Sequence, residues 1–258
     1  MRGFIGIGWA LAVAAVVLLA VGLAGCGSGN MVDNDGGNNT GVVDPNTVVR
    51  GTFTDDRDGT VYKTVKIGTQ TWMAENLNYA VDSSWCYDND PDNCVMYGRL
   101  YSWAAAMDLD RRFNDSTWGG NSVKHKGVCP TGWHLSSRDD WDQLSESVGG
   151  TKDNIGSFIN WLDAGKKLKS TSGWVSTSTR NGNGTDDYGF SALPGGMRDI
   201  GGAVDFTRGG AEGTWWTSMN FSRAQAYHRN IGYSNDHVTE AGRKKYEERS
   251  VRCVQNFE

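Results

Sequence analysis

Five cysteines, at positions 26, 86, 94, 129 and 253, constrain this chain more than any other feature. The reason is that its N-terminus directs them out of the reducing cytoplasm. Met1–Gly25 carries no acidic residue and one basic residue, Arg2. From Phe4 to Ala24 it is apolar apart from scattered glycines. That is the n-region and h-region of an export signal. In an oxidising compartment cysteines pair, so the fold has to bring them together in twos. Zinc is the competing use, but neither C-x-x-C nor H-x-x-x-H spacing occurs.

The leader ends in Leu23-Ala24-Gly25-Cys26, which resembles the bacterial lipobox, a small residue followed by cysteine. The resemblance implies cleavage before Cys26 and acylation of its sulfur and its new amino group. An uncleaved membrane anchor is the alternative, since about 20 apolar residues can span a bilayer. Either way the rest of the chain lies outside the cytoplasm, with the membrane as its N-terminal partner. One lipid chain holds weakly, and a triacylated cysteine supplies more than one. Gly27 follows the cysteine, where Asp is the familiar signal for inner-membrane retention. The implied address is the cell envelope, as an outer-membrane lipoprotein that is periplasmic or surface-exposed. Residues 26–49 are rich in Gly, Asn and Asp and lack apolar periodicity, so they read as a flexible tether.

With Cys26 lipidated, Cys86, Cys94, Cys129 and Cys253 remain, and four cysteines allow three connectivities. Cys86–Cys94 with Cys129–Cys253 is favoured. The first bond would close a short loop, Tyr87 to Asn93, made of turn-forming residues. The second would tie the middle of the chain to its last strand.

Composition sharpens the class. The net charge of −5 and the lack of a basic run exclude a general nucleic-acid binder. Glycine stands at 35 of 258 residues, about twice the usual share of roughly 7%. Tryptophan stands at 11, whereas disordered chains are poor in aromatics. The pattern is that of a compact, loop-heavy fold carrying large flat side chains.

Along the chain, Val61, Val65 and Ile67 alternate onto one face, Gly68-Thr69 turns, and Gln70–Glu75 returns as a hairpin. Leu100, Trp103, Ala104 and Met107 predict a helix over Gly98–Met107. Ser136-Ser137 followed by Asp139-Asp140 predicts the capped start of another, with Trp141, Leu144 and Val148 inward and Gly149-Gly150 as its stop. Ile155, Phe158, Ile159 and Leu162 predict a third, over Ile155–Leu168. Beyond Ser170 helical periodicity ends. Thr214–Ser218, Ala224–Ile231 and Arg249–Val254 read as strands among Gly-rich loops. The expectation is a signal peptide over 1–25, a tether over 26–49 and one α+β domain over 50–258.

Several phrases in this order are recognisable. KTVKIGTQTWMAENLN spans Lys63–Asn78, YGRLYSWAAAM spans Tyr97–Met107 and CPTGWHLSSRDDW spans Cys129–Trp141. AGKKLKSTSGW, YGFSALPGGMRD, GTWWTS and SVRCV follow at Ala164–Trp174, Tyr188–Asp199, Gly213–Ser218 and Ser250–Val254. Together they resemble the Fibrobacter succinogenes major paralogous domain, a family of exported bacterial proteins. The family name implies no reaction. The C-terminal half also looks distantly like the C-type-lectin-like fold of formylglycine-generating enzymes. That likeness implies short helices, small antiparallel sheets, long Gly-rich loops and chain ends that return to one another. It also implies a cysteine in the final strand paired with an earlier one, which adds to the case for Cys129–Cys253. A fold does not give a function.

Candidate chemistry is sparse. Calcium needs six to eight oxygens, and Asp88, Asp90, Asp92 and Asn93 form a dense oxygen cluster, as do Asp55, Asp56 and Asp58. No bidentate Glu follows at the required distance, and the sugar-binding triplets EPN, QPD and WND are absent. Solvated turn residues are the plainer reading. Formylglycine-generating chemistry uses a reactive cysteine pair, but no second cysteine lies near Cys253. His125, His134, His228 and His237 are available for hydrolysis, but no G-x-S-x-G elbow accompanies them. Trp215 and Trp216 point to opposite faces of a strand, so at most one belongs to a core on a given side. Arg198, Asp199, Arg208, Trp216, Tyr227, His228 and Arg229 form the candidate binding surface, since aromatic faces beside Arg, Asn and Asp hold sugars or peptides. The expected function is a non-enzymatic ligand-binding or adhesion domain for an extracellular glycan or protein, without a cofactor. The alternatives are an extracytoplasmic enzyme on the formylglycine-generating fold and a structural envelope protein.

Overall fold

The computed structural model describes residues 41–120, 122–200 and 205–256. The leader, Cys26 and the tether as far as residue 40 lie outside the described residues. The chain opens with β1 (Val49–Thr54), β2 (Val61–Ile67), β3 (Gln70–Met73) and β4 (Ser84–Trp85). Helix α1 (Pro91–Tyr97), β5 (Leu100–Ser102), the single turn α2 (Trp103–Ala106), β6 (Trp133–Leu135) and α3 (Arg138–Ser147) follow. Next come β7 (Thr151–Ile155), β8 (Phe158–Leu162) and the short α4 (Ala164–Leu168). The remainder is strand: β9 (Gly195–Asp199), β10 (Asp205–Gly209), β11 (Glu212–Asn220), β12 (Gln225–Gly232), β13 (Thr239–Lys244), β14 (Glu248–Ser250) and β15 (Cys253–Gln255). The fold is α+β.

Two sheets organise most of these strands, and β7 and β8 pair separately as a two-stranded sheet. One has the order β1-β2-β3-β15-β6, so the last strand lies between an early one and a middle one. The other has the order β13-β12-β11-β9-β14-β5-β4 with β10 beside β9, and it is mostly antiparallel, with parallel contacts of β11 to β9 and β14. Neighbouring residues of a strand point to opposite faces, and here both faces are covered. Trp72, Trp215 and Val254 enter one core, with Trp141 and Phe190. Their neighbours Met73, Trp216 and Cys253 enter a second core, with Trp103 and Trp133. Each tryptophan buries roughly 150–250 Å², worth about 4–6 kcal/mol on removal from water.

Glycine makes this packing possible at particular points. A Cβ at Gly213 would sit 2.4 Å from the Trp215 ring and 2.6 Å from the Leu193 carbonyl oxygen. Gly98 closes α1 at φ 71° and ψ −171°, a conformation that side-chain-bearing residues avoid. A Cβ there would lie 2.7 Å from that of Asn76.

The expected hairpin and the capped helix are present. The turn between β2 and β3 has Gly68 at φ 61°, and Ser137 and Asp140 form a full capping box at α3. Four readings need correction. Val61 is exposed, and it is Tyr62 and Thr64 that turn inward on β2 opposite Val65 and Ile67. The segment Gly98–Met107 is strand β5 followed by one helical turn. Its Leu100 pairs with Ser250 and Trp85, and Ser102 Oγ caps the turn by accepting from the Ala105 N–H. The segment Ile155–Leu168 is the second strand of a hairpin plus α4. Gly156 (φ 62°) turns β7 into β8, and Asp163 (φ 64°) separates β8 from α4. The terminal strand is likewise two strands, because the chain crosses from one sheet to the other at Val251-Arg252.

The ordered domain also starts ahead of residue 50. Val43 donates its N–H to the Ser147 carbonyl, accepts from the Tyr188 hydroxyl and packs against the first core.

Arg252 is fully buried where the chain changes sheets. Its guanidinium donates to Asn76 Oδ1 from Nε and Nη2 (3.0 and 2.8 Å). From Nη1 it donates to the carbonyls of Met73 (3.1 Å) and Phe190 (2.8 Å). Burial pulls its pKa down to about 9, with Glu75 and Asp186 pulling back. Asn76 in turn accepts from Trp215 Nε1 and donates to the Tyr97 carbonyl. Disulfides join Cys86 to Cys94 and Cys129 to Cys253, the connectivity favoured from the sequence.

Two outcomes follow for stability. Arg252→Met leaves Asn76 and two buried carbonyls short of donors, so the urea-unfolding free energy drops by about 3–5 kcal/mol. Loop closure over a separation of 124 residues is worth about 5 kcal/mol and over 8 residues about half that. Removing both Cys129 and Cys253 by alanine substitution therefore lowers the urea midpoint more than removing Cys86 and Cys94. Equal midpoints for the two double variants would contradict the loop argument.

Candidate functional site

The register of the larger sheet decides which side chains share a face. Trp216 lies opposite His228, and His228 opposite Ala241. Thr214 lies opposite Asn230, and Asn230 opposite Thr239. These residues therefore stand on one face, while Trp215, Arg229 and Glu240, which are also mutually opposite, stand on the other. The first face carries a depression of about 230 Å³. Its walls are His228, Asn230, Thr239 and Ala241 of β12 and β13, with Arg243 at the rim. Met197, Arg208, Glu212 and Arg249 complete it from β9, β10, β11 and β14.

Arg249 is its most unusual member. The residue is 1% exposed. One guanidinium nitrogen donates to the Glu247 carboxylate. Another points at the thioether sulfur of Met197 at 3.3 Å, a weak acceptor. Nε has no partner among the described residues. The guanidinium carbon lies 5.2 Å from the centre of the Trp216 ring. Burial pulls the pKa of Arg249 down to about 10, with Glu247 opposing, so the group is a cation at neutral pH.

His228 beside it is uncharged. Burial, and then the positive charge of Arg249, hold its pKa well below the ordinary histidine value. Nδ1 lies 2.9 Å from the Ala241 carbonyl oxygen, which fixes the proton there and leaves Nε2 as an acceptor. Glu212 accepts from Asn230 Nδ2 at 2.9 Å and faces the Arg208 guanidinium at 3.8 Å. The lining thus holds three arginines against one carboxylate.

The family model described as the Fibrobacter succinogenes major domain matches residues 65–255. The chain belongs to that family. No curated protein and no solved structure matches it. The span matched to the Fibrobacter succinogenes major domain contains every residue that lines the depression.

Within this major domain, the structure divides the seven residues of the expected binding surface. Arg208 and His228 line the depression. Trp216 lies beneath it, fully buried, with Nε1 donating to the Tyr101 carbonyl. Arg229 is also fully buried and pairs with Asp142 (2.6 Å) and Glu240 (3.0 Å) on the opposite face. Tyr227 shares that opposite face, under the Arg138 guanidinium at 4.0 Å. Trp216, Tyr227 and Arg229 are therefore scaffold. The run Tyr227-His228-Arg229 cannot form one surface, because consecutive strand residues face opposite ways. Arg198 donates from Nη1 to both oxygens of Glu248 (2.7 and 2.8 Å) and stacks on Trp85. Asp199 is half-buried at the end of β9, opposite Asp205. Arg243, Arg249, Asn230 and Glu212 were not anticipated. Stepping by two from His228 reaches Asn230, but nothing local in the sequence joins Arg249 to it.

The remaining candidates are occupied by local structure. Asp90 caps α1 by accepting from the Asp92 N–H, and Asp88 sits in a turn at φ 55°. Asp55 is buried and accepts three bonds from Arg57. Among the described residues, no three His, Cys, Asp or Glu side chains converge as a metal site. His134 bridges Asn256 and Asp140, and Asp140 also binds Ser137. Asp140 thus stands between His and Ser, the wrong order for a nucleophilic triad. His125 contacts the Met107 carbonyl.

The Arg198–Glu248 pair beside the depression makes stability depend on pH. Burial pushes the Glu248 carboxyl up to about 7, with Arg198 pulling the other way. Its folded value exceeds the unfolded value near 4.5. Its contribution is therefore complete below about pH 4.5 and is lost as pH rises through about 7. Glu248→Gln removes this loss of up to about 3 kcal/mol. Urea unfolding of both proteins between about pH 4 and 8 measures it, the native chain having the steeper decline.

Proposed function

We propose that this chain is an outer-membrane lipoprotein that displays a non-enzymatic ligand-binding domain outside the cytoplasm. The observation that carries the reading is the charged depression on the sheet. A rigid strand scaffold holds three arginines and a neutral histidine around a cavity open to solvent, the arrangement of a binding site rather than of a packed core. The absence of chemistry of its own is supported by the four domain cysteines, all used in disulfides, and by His125 and His134, which are held in structural contacts. Anchoring is supported by the apolar leader and by Leu23-Ala24-Gly25-Cys26. A C-type-lectin-like architecture belongs to the same proposal. The pairing of β3 with β15 and the Cys129–Cys253 bond support it.

A protein partner is the second reading, favoured by one other feature. Val61, Val95 and Met96 are 58%, 82% and 58% exposed, and all three border a depression of about 250 Å³ beside Cys94.

Two measurements test the proposal. Metabolic labelling with palmitate marks the native chain and leaves Cys26→Ser unlabelled. A glycan array probed with the purified full-length lipoprotein in detergent gives saccharide signals that weaken when Arg208 and Arg243 are both changed to Gln. An array without signal moves the ligand to a protein partner.

A further inference from the structure

We infer that the depression on β12 and β13 receives a sugar residue bearing a carboxylate, with the acid group set towards Arg249. The inference rests on the ligand-binding reading above and names the class of ligand. A buried guanidinium has five N–H donors and no acceptor capacity, and leaving such donors unpaired costs free energy. Arg252 shows what satisfaction looks like in this protein, with carbonyls and an amide placed around a buried guanidinium. Arg249 is buried to the same degree, yet it has one carboxylate, a thioether sulfur and an unpaired Nε. Arg198 and Arg229 also leave Nε without a partner among the described residues, but of Arg198, Arg229, Arg249 and Arg252 it is Arg249 that lines the depression. An anion in that cavity supplies the acceptors that the protein withholds. A planar guanidinium suits a carboxylate because two parallel bonds form at once.

Charge and size narrow the class. Arg208 and Arg243 add positive charge at the mouth, and Glu212 is the one carboxylate among the lining residues. That balance disfavours a free ammonium, and so an amino acid. The same cavity offers acceptors to hydroxyl groups, at His228 Nε2 and at Glu212, and a donor at Asn230. Its volume of about 230 Å³ is far above a water's share of roughly 30 Å³ and below the range for drug-sized ligands, about 300–1,000 Å³. One ring carrying an acid and several hydroxyls matches these requirements, which describes a hexuronate.

Titration calorimetry of the full-length lipoprotein in detergent tests this, with sodium glucuronate and sodium galacturonate as probes. Glucose, galactose, glycine and sodium sulfate are the comparisons. At least one uronate is expected to bind tenfold or more tightly than its neutral hexose. Arg243→Gln, an exposed rim change, is expected to weaken it about fivefold, and Arg249→Lys about tenfold or more. Near-UV circular dichroism and the urea midpoint verify that each variant is folded. If Arg249→Lys unfolds the protein, Arg243→Gln and His228→Gln decide, each with at least a threefold loss. Equal affinity for hexose and hexuronate overturns the inference while the ligand-binding reading stands. Sulfate or glycine binding as tightly as the uronates also overturns it, by reducing the site to a general anion or amino-acid pocket. No heat from the uronates, together with saccharide signals on the array, overturns this inference alone. Silence in both overturns the saccharide reading as well.

Discussion

One buried arginine sets the terms for the rest of the domain. Arg252 occupies the two-residue crossing where the chain leaves one sheet for the other. It is held by neutral oxygens, with no carboxylate in ion-pair reach among the described residues. Those oxygens come from Met73 at the end of β3, from Asn76 just after it and from Phe190 in a long loop. Asn76 then passes the constraint to Trp215 and to the end of α1. A charge removed from water is tolerated only when its donors are met, so every segment that supplies an oxygen must arrive in place. The phrases AENLN, YGFS, GTWW and SVRC all contribute to this cluster. They read as separate motifs along the chain, and in the fold they are parts of one hydrogen-bonded node.

The same economy explains the bias towards tryptophan and glycine. At the centre of the larger sheet both faces are covered, so adjacent residues such as Trp215 and Trp216 are each fully buried, in different cores. Large rings on both sides of a strand need backbone without side chains nearby, and Gly213 provides it beside Trp215. Ionic contacts then fasten the layers. Arg229 and Arg138 clamp α3 to the sheet through Asp142 and Glu240. The depression lies on the opposite face, over strands β12 and β13.

Much of the scaffold was legible in the sequence, and the site much less so. The hairpin of β2 and β3 announced itself by alternation and by Gly68. Helix α3 did so by Ser137 and Asp140, whose side chains satisfy its first N–H groups. The segment Ile155–Leu168 misled because Ile155, Phe158, Ile159 and Leu162 fit helical spacing, while the deciding residues, Gly156 and Asp163, act through left-handed backbone that periodicity does not register. The site was obscured for a different reason. Arg229, Arg249 and Arg252 are all buried, and patterning treats arginine as a surface residue. Arg249 reaches His228 through strand pairing across more than twenty residues, which no local window contains.

The position of β15 governs how the domain is completed. This strand is the last described element, yet it lies inside its sheet between β3 and β6. A chain made N-terminus first cannot close that sheet until β15 is available. Cys86 and Cys94 come out close together and can join at once, while Cys129 waits as a thiol for Cys253. Since the native bonds link these four cysteines in their order along the chain, sequential oxidation among them yields the correct pairing without reshuffling. Closure of the domain thus waits on its last strand, and a chain truncated before Cys253 leaves β3 and β6 without the strand between them and Cys129 without its partner.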